Sequence, residues 1–268
     1  MKFFSVQLAR LMKRRSMMAL RIYKYCTFLK NNFDNLDFNM ASNGELNVIQ
    51  QLRLHASDVI LDVGGNEGDW TLAVLRNSKS TRLYAFEVVP ATRTIFSRNV
   101  HSELVTLLPY GLGDVKGEIE IFVDPEDTGK STSSTSLADR RAGFCKEPIS
   151  CRVEVGDQFL ESRAIDHVRL LKIDVEGAES QVLSGFMQAF ISKKVDIVQF
   201  EYGEVCIDTR YLLQDFYRFF ESYGFILGKV YPTFVDFKGY EYSDENFLGC
   251  NYLAVRKELT NDIQRLSR

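Results

Sequence analysis

The stretch VILDVGGNEGDW (59–70) closes an apolar run on one carboxylate, Asp62, and then turns through Gly64, Gly65 and Gly68. A loop that only had to bend would not need an acid and three glycines. Glycines let a ligand approach the backbone closely, and a carboxylate inside the turn favours a ligand carrying positive charge, such as an ammonium or sulfonium. The spacing D-x-G-G-x-x-G departs from the GxGxxG of dinucleotide folds, where a pyrophosphate rests on a helix N-terminus. Further acids recur at the ends of later apolar runs. Glu87 ends RLYAFE, 19 residues after Gly68, where a carboxylate can accept both hydroxyls of a ribose. Asp114 follows the next run and is placed to meet an adenine amino group. Asp174 and Glu201 come at the ends of two more runs, with Glu176 and Glu179 just beyond Asp174. Ribose, adenine and a cationic amino-acid tail together describe S-adenosylmethionine. The ordered set points there; no single member does.

Methyl transfer from a sulfonium is an in-line displacement governed by the leaving group and by positioning. A hydroxyl acceptor needs a base or a metal to draw off its proton. His55, His101 and His167 lie away from the acidic strand ends, so the base is expected among Asp174, Glu201 and Glu176. Asp174 and Glu201 also suit a hard cation such as Mg²⁺, although such sites usually take more ligands than these two. Glu179 reads mainly as an acid stabilising a helix N-terminus, and Lys172 as the structural partner of a nearby acid. Tyr202, Tyr211, Phe216 and Phe220 offer a sugar platform, but at helical spacing Phe216 and Phe220 read more simply as core. Trp70 reads as buried packing. The run STSSTSL (131–137) serves equally as a set of hydroxyls for a polyhydroxylated acceptor or as a solvated loop.

The elements that must position these residues alternate between β-rich and helical patterns. Strands are expected at 59–64, 82–87, 105–112, 169–175 and 196–202, with helices at 68–77, 90–100, 178–190 and 209–224. Nearly continuous apolar strands alternating with helices predict an α/β fold, a parallel sheet covered on both faces. Such a sheet binds ligand at the carboxyl ends of its strands, which is where the acids fall. The run GEIEIFVD (117–124) alternates with period two and reads as a side hairpin strand, and 125–149 reads as a long loop. FILGKVYP (225–232) and NYLAVRK (251–257) lie too close for a crossover helix, so they are expected as antiparallel neighbours at one edge.

At 268 residues and 45% apolar content the chain can bury a full core. A net charge of −3 argues against a general nucleic-acid binder, yet eight of the 33 basic residues lie in the first 30 positions, which hold no acid. The remainder therefore carries a net charge of about −11. Within that basic start Phe4, Leu8, Leu11, Met12, Met18 and Ile22 fall on one side at helical spacing, opposite Arg10, Lys13, Arg14, Arg21 and Lys24; Arg15 interrupts the apolar stripe. A helical segment over 1–35 is expected, either docked on the domain or attached through residues 1–30 to an anionic membrane surface or acidic partner. No apolar run reaches the roughly 18 residues of a membrane span, and the basic start lacks the apolar core of a signal peptide. Five scattered cysteines without a CxxC pair fit reduced thiols in a cytosolic protein.

The blocks DVGGNEGDW, YAFEVVPATR, PYGLGDVKGEIEIF and LLKIDVEGAESQVLSG resemble, in order, those of the FkbM family of S-adenosylmethionine-dependent methyltransferases. The last is the most specific, and SNGELNVIQQL (42–52) resembles the family's lead into its first strand. The resemblance implies a Rossmann-like class I methyltransferase fold, with a mostly parallel seven-stranded sheet whose last strand inserts antiparallel. It implies a methyltransferase domain over 42–258, an N-terminal segment 1–35 outside it and a tail at 259–268. It also implies O-methylation of a hydroxyl on a sugar, glycan or small natural product. Carried over, Asp62, Gly64 and Gly68 frame the methionine end of the cofactor, Asn66 shapes the loop, Glu87 holds the ribose and Asp114 the adenine, with Gly65 and Asp174 also among the cofactor-binding residues. Gly65 stands where the family often has alanine. An N-methyltransferase is disfavoured because KIDVEG occupies the place of the usual N/D-P-P-Y/F string. N-methylation of an amine and a non-catalytic binding module on the same fold are the alternatives.

Overall fold

The computed structural model describes residues 2–78, 81–124, 131–133, 135–140 and 147–267. Two helices, α1 (Lys2–Lys13) and α2 (Met17–Phe33), precede a short α3 (Glu45–Gln51). The continuous amphipathic pattern of the first 35 residues thus breaks once. Arg15 adopts a left-handed φ of 48°, and the Ser16 hydroxyl caps α2 by accepting the Ala19 amide at 3.2 Å.

The body follows the expected alternation: β1 (Val59–Val63), α4 (Asp69–Asn77), β2 (Arg82–Phe86), α5 (Pro90–Asn99) and β3 (Val105–Leu108). Pro90 opens α5, where its missing amide costs nothing. The expected strand at 105–112 then divides. Pro109 cannot donate to a ladder, and the chain leaves the main sheet; β4 (Gly111–Gly113), β5 (Gly117–Ile121) and β6 (Ile149–Val155) form a second, three-stranded sheet in the order β4-β6-β5. The alternating run at 117–124 is therefore the edge of this small sheet, paired antiparallel with β6. Of the long loop expected at 125–149, residues 125–130, 134 and 141–146 lie outside the described residues, and α6 (Thr135–Arg140) forms between them.

Next come α7 (Gly156–Ser162), β7 (Val168–Ile173), α8 (Glu179–Gly185), α9 (Met187–Ile191), β8 (Val195–Gly203), α10 (Val205–Thr209) and α11 (Leu213–Ser222). The chain finishes with β9 (Phe225–Val230), β10 (Val235–Phe237), β11 (Leu248–Arg256) and α12 (Thr260–Leu266). The main sheet has eight strands in the order β10-β9-β11-β8-β7-β1-β2-β3. β1, β2, β3, β7 and β8 are parallel, and β11 inserts antiparallel between β8 and β9. This is the Rossmann-like class I methyltransferase arrangement with one strand more than the seven expected. The extra strand is β10, which covers the edge that β9 would otherwise expose.

Period-two alternation assigns the two faces of the sheet. Leu61, Val63, Leu171, Ile173, Val198 and Phe200 build one apolar core with α8, α9 and α11. Ile60, Leu170, Ile197, Leu253 and Val255 build the other with α3 and α4. Phe216 and Phe220 belong to the first core, as helical spacing suggests.

Candidate active site

The carboxyl ends of β1, β2 and β7 are drawn together by the glycine turn. Gly64 has a φ of 85°, and a Cβ there would lie 1.8 Å from the Asp174 carbonyl oxygen. The amides of Gly64 and Gly65 both donate to the Phe86 carbonyl, at 3.0 and 2.9 Å. Only glycine satisfies both demands at position 64. Asn66 then turns with a φ of 44° and donates its amide to Glu87 Oε2 at 3.0 Å, while the Val89 amide donates to Oε1 at 2.7 Å. Burial pushes the Glu87 carboxyl up, against the pull of those two amides. Each oxygen keeps a lone pair beyond these bonds.

Gly64, Asn66, Glu87 and Asp174 line one hollow, whose other wall is apolar: Val88, Leu112, Ile121 and Val153. A second hollow shares Gly64, Asn66 and Asp174 and is closed by Phe38–Ala41, Glu45 and Trp70. A third shares Ser133 and Glu176 with the first and is lined by Thr135, Gln181, Asp208, Thr209 and Arg210. The three open side by side along one edge of the sheet, the place a doubly wound fold reserves for ligand.

Asp62 is not part of the lining. Its side chain is 0% exposed; Oδ2 accepts from the Thr71 hydroxyl at 2.7 Å, and Oδ1 lies 3.7 Å from Lys172 Nζ. The expectation that Asp62 faces a cationic ligand is corrected: the cation it meets is Lys172. In register the row runs Asp62, Lys172, Gln199 across β1, β7 and β8. Glu45 drops onto this row from α3 and accepts from Gln199 Nε2 at 2.7 Å. Lys172 Nζ also lies 3.0 Å from Asp174 Oδ2 and 5.7 Å from the centre of the Trp70 ring. Burial opposes its charge, but Asp174, Asp62 and Glu45 outweigh that and hold the ammonium above the ordinary lysine range. Burial pushes the Asp62 carboxyl up, with Lys172 and Thr71 pulling the other way.

The remaining acids divide by surroundings. Asp174 stands at the junction of the first two hollows, with its side chain 38% exposed. Glu176, with a left-handed φ of 52°, stands at the junction of the first and third. Glu179 is buried and accepts the amides of Val175 and Gly177 at 3.3 and 3.2 Å, bracing the turn that carries Asp174 and Glu176; burial lifts its pKa to about 7. Glu201 lines none of the three hollows; its carboxylate and the Phe38 ring both approach Gly249. Burial, then the charges of Asp174, Glu176, Glu179 and Glu45, push Glu201 well above the usual carboxylate range.

Asp114 is exposed beyond β4 and lines none of these hollows. The expected contact with adenine is therefore not seen in the lining: Asp114 lies in the exposed turn after β4, while Gly111 and Leu112 of β4 itself face the first hollow. A divalent cation at Asp174 and Glu201 does not fit the donors either. The Lys172 ammonium occupies the near side of Asp174, and among the described residues no group of three or more His, Cys, Asp or Glu side chains is arranged to hold a metal. Tyr202 is buried with its hydroxyl on Glu245 rather than in a sugar platform. His55 and His101 are exposed, and His167 pairs with Asp196 at 3.0 Å.

Of two further contributors, the first was left open between an acceptor contact and a solvated loop, and the second was not legible beforehand. At the start of the STSSTSL run Thr132 exchanges backbone hydrogen bonds with Phe122, and its hydroxyl donates to the Glu176 carbonyl at 2.9 Å. Phe38–Ala41, just after the basic helices, forms a wall of the second hollow. Ser131 Oγ and Trp70 Nε1 are buried without a hydrogen-bond partner, in the walls of the first and second hollows respectively. Buried polar atoms are normally satisfied, so each is a vacant contact for a polar ligand.

The Methyltransferase FkbM domain matches residues 62–227. The hexuronic acid methyltransferase AglP of Haloferax volcanii is 31% identical over 176 residues, covering 64% of this chain and 69% of that protein. Methyltransferase 1 of Beauveria bassiana is 32% identical over 142 residues, covering 47% of this chain and 57% of its own length. The crystal structure of an FkbM methyltransferase from Methylobacillus flagellatus is 14% identical with a TM-score of 0.48, covering 75% of this chain and 44% of that one.

Proposed function

The chain belongs to the FkbM methyltransferase family, and we propose that it is an S-adenosylmethionine-dependent O-methyltransferase acting on a hydroxyl of an acidic sugar or glycan. The observation that carries the cofactor assignment is Glu87, held by two backbone amides at the mouth of the glycine turn with lone pairs left over. The residues present fit the cofactor. Glu87 would hold the ribose hydroxyls, and the apolar wall of Val88, Leu112 and Ile121 would flank a purine. Gly64, Asn66 and Asp174 would hold the amino-acid tail, with Ser131 Oγ and Trp70 Nε1 supplying unused polar contacts. When bound, S-adenosylmethionine supplies an electrophilic methyl group on a sulfonium.

This chain's part is to position the acceptor and take its proton. Asp174 and Glu176 stand at the junctions between hollows, and one of them would take the acceptor proton as general base. Glu201 flanks this cluster from the next strand, where burial and the neighbouring acids push its carboxyl well above the usual range. The third hollow suits the acceptor: Ser133, Thr135 and Thr209 present hydroxyls and Gln181 an amide. Arg210 makes no ion pair among the described residues and lines this hollow, where a guanidinium can take a carboxylate in bidentate fashion. The activity named for the Haloferax relative, methylation of a hexuronic acid, supports the same acceptor class.

Calorimetric titration with S-adenosylmethionine, S-adenosylhomocysteine and NADH tests the cofactor half. Wild type should bind the first two in the micromolar range and not the third, and Glu87→Ala should lose that binding. A folded wild type that binds neither sulfur ligand, or that binds NADH, sinks the reading. Methyl transfer to uronic acid glycosides, followed by release of S-adenosylhomocysteine, tests the acceptor half.

A further inference from the structure

Among the described residues, eleven of the eighteen large apolar side chains that stand exposed lie within the first 38 positions. On α2 they have a direction. Met17, Met18, Tyr25, Phe28, Leu29 and Phe33 are 48–80% exposed and fall within an arc of about 160° at 100° per residue. The opposite side of α2 holds Ala19, which is buried, and Leu20 and Tyr23, which line a groove with Met12 of α1. The free arc therefore faces away from α1. Six large apolar side chains on one helical face form the kind of exposed patch that marks an interaction surface.

The charge around the arc selects the partner. The eight Lys/Arg of the first 30 residues have no acid among them until Asp34, which pairs with Lys30 at 2.6 Å. Arg21 lies inside the arc and Lys24 at its border. A second copy of the chain on this face would bring two such acid-free segments together, and like-charge repulsion opposes that. An anionic bilayer matches both features, since basic residues are drawn to its surface while aromatic and aliphatic side chains enter the headgroup boundary. No helix among the described residues is long and apolar enough to cross a membrane, so the contact is peripheral.

The face is presented in a fixed orientation. The Asn35 side-chain amide donates to the Val230 carbonyl at 2.9 Å and to the Asn43 carbonyl at 2.7 Å, and Cys250 Sγ donates to the Asp34 carbonyl at 3.2 Å. The body beyond residue 30 carries about −11 and is repelled by anionic lipid, so only the basic side can dock. We propose that α2, with the basic turn at Arg14 and Arg15, is a docking face for an anionic membrane surface.

Vesicle flotation of the full chain tests this, using phosphatidylcholine vesicles with and without phosphatidylserine at low and high salt. Wild type should float only with the phosphatidylserine vesicles and should be released by salt. The double variant Phe28→Asp/Phe33→Asp should lose at least tenfold in partitioning, and Arg21→Ala about fivefold. Binding of S-adenosylhomocysteine by each variant serves as the folding control and reads the cleft separately. A folded wild type that fails to float overturns the proposal. So does flotation unchanged by the double variant, or a dimeric wild type that the double variant renders monomeric.

Discussion

Replacing Lys172 with Met tests the polar row beneath the glycine turn. The ammonium is 5% exposed, 3.0 Å from Asp174 Oδ2 and 3.7 Å from Asp62 Oδ1. Asp62 is 0% exposed, and its Oδ1 has no other partner. Methionine keeps the volume and leaves Asp62 as a buried charge without a counter-ion, a change that costs about 3–5 kcal/mol. At roughly 2–4 °C per kcal/mol for a chain of this size, Tm should fall by about 10 °C. The pH dependence has a definite sign. Without Lys172 the Asp62 carboxyl, already raised by burial, rises further. A group whose folded pKa is raised stabilises fully below its unfolded value, near 4, and loses that contribution as pH climbs through the folded value. Lys172→Met should therefore be least impaired near pH 5 and most impaired near pH 8. Adding Asp62→Asn removes the stranded charge and keeps an acceptor for Thr71, so the double variant should recover at least half of the loss and show no such slope. Thermal unfolding of the three proteins at both pH values decides it. A drop under about 2 °C, or a double variant no more stable than the single, would refute the assigned pairing.

Three further outcomes follow from the same geometry. Gly64→Ala forces a Cβ to 1.8 Å from the Asp174 carbonyl at a φ of 85°, so it should be severely destabilised and lose cofactor binding in calorimetry. Gly65→Ala meets the Phe96 ring at 3.2 Å, the Ala85 methyl at 3.4 Å and Asp62 Oδ2 at 3.7 Å, and should stay within about 1 kcal/mol of wild type by urea unfolding. Burial raises the Glu179 pKa from 4.5 to about 7, so its contribution is complete below pH 4.5 and lost as pH rises through 7. Glu179→Gln should flatten the pH 5 to pH 8 change in stability by about 3 kcal/mol, and an unchanged slope would exclude this carboxyl as its source. Arg210→Ala should raise KM for a uronic acid glycoside at least tenfold while leaving affinity for S-adenosylhomocysteine unchanged; an unchanged KM would remove Arg210 from acceptor recognition.

Much of the fold was legible because the signals are periodic and local. β-rich runs alternate with helical ones, Pro90 marks a helix start, and two late strands sit too close for a crossover; all of these survive in the structure. What failed was long-range. β10 covers the edge beside β9, and its three residues, Val235–Phe237, carry too little pattern to announce a strand. The third strand was extended through Pro109 although a proline in a central ladder argues for a break.

The site itself was half legible, and the division follows the direction of the side chains. Glu87, Asp174 and Glu176 lie just beyond strand ends, where position alone brings a side chain to the cleft. Asp62 lies within its strand, so its direction is set by the alternation. Leu61 and Val63 face one core and Ile60 the other, which puts Asp62 on the face that carries Lys172 at the paired position of the next strand. An acid in the turn does imply a cation, but the implication cannot say whose. Here the chain supplies it from 110 residues further on, and the register that pairs them exists only once β1 and β7 are neighbours. The consequence for chemistry is that Asp62 acts at one remove: it holds Lys172, and Lys172 sets the field at Asp174, the one carboxylate at the junction of the two hollows that the cofactor would share.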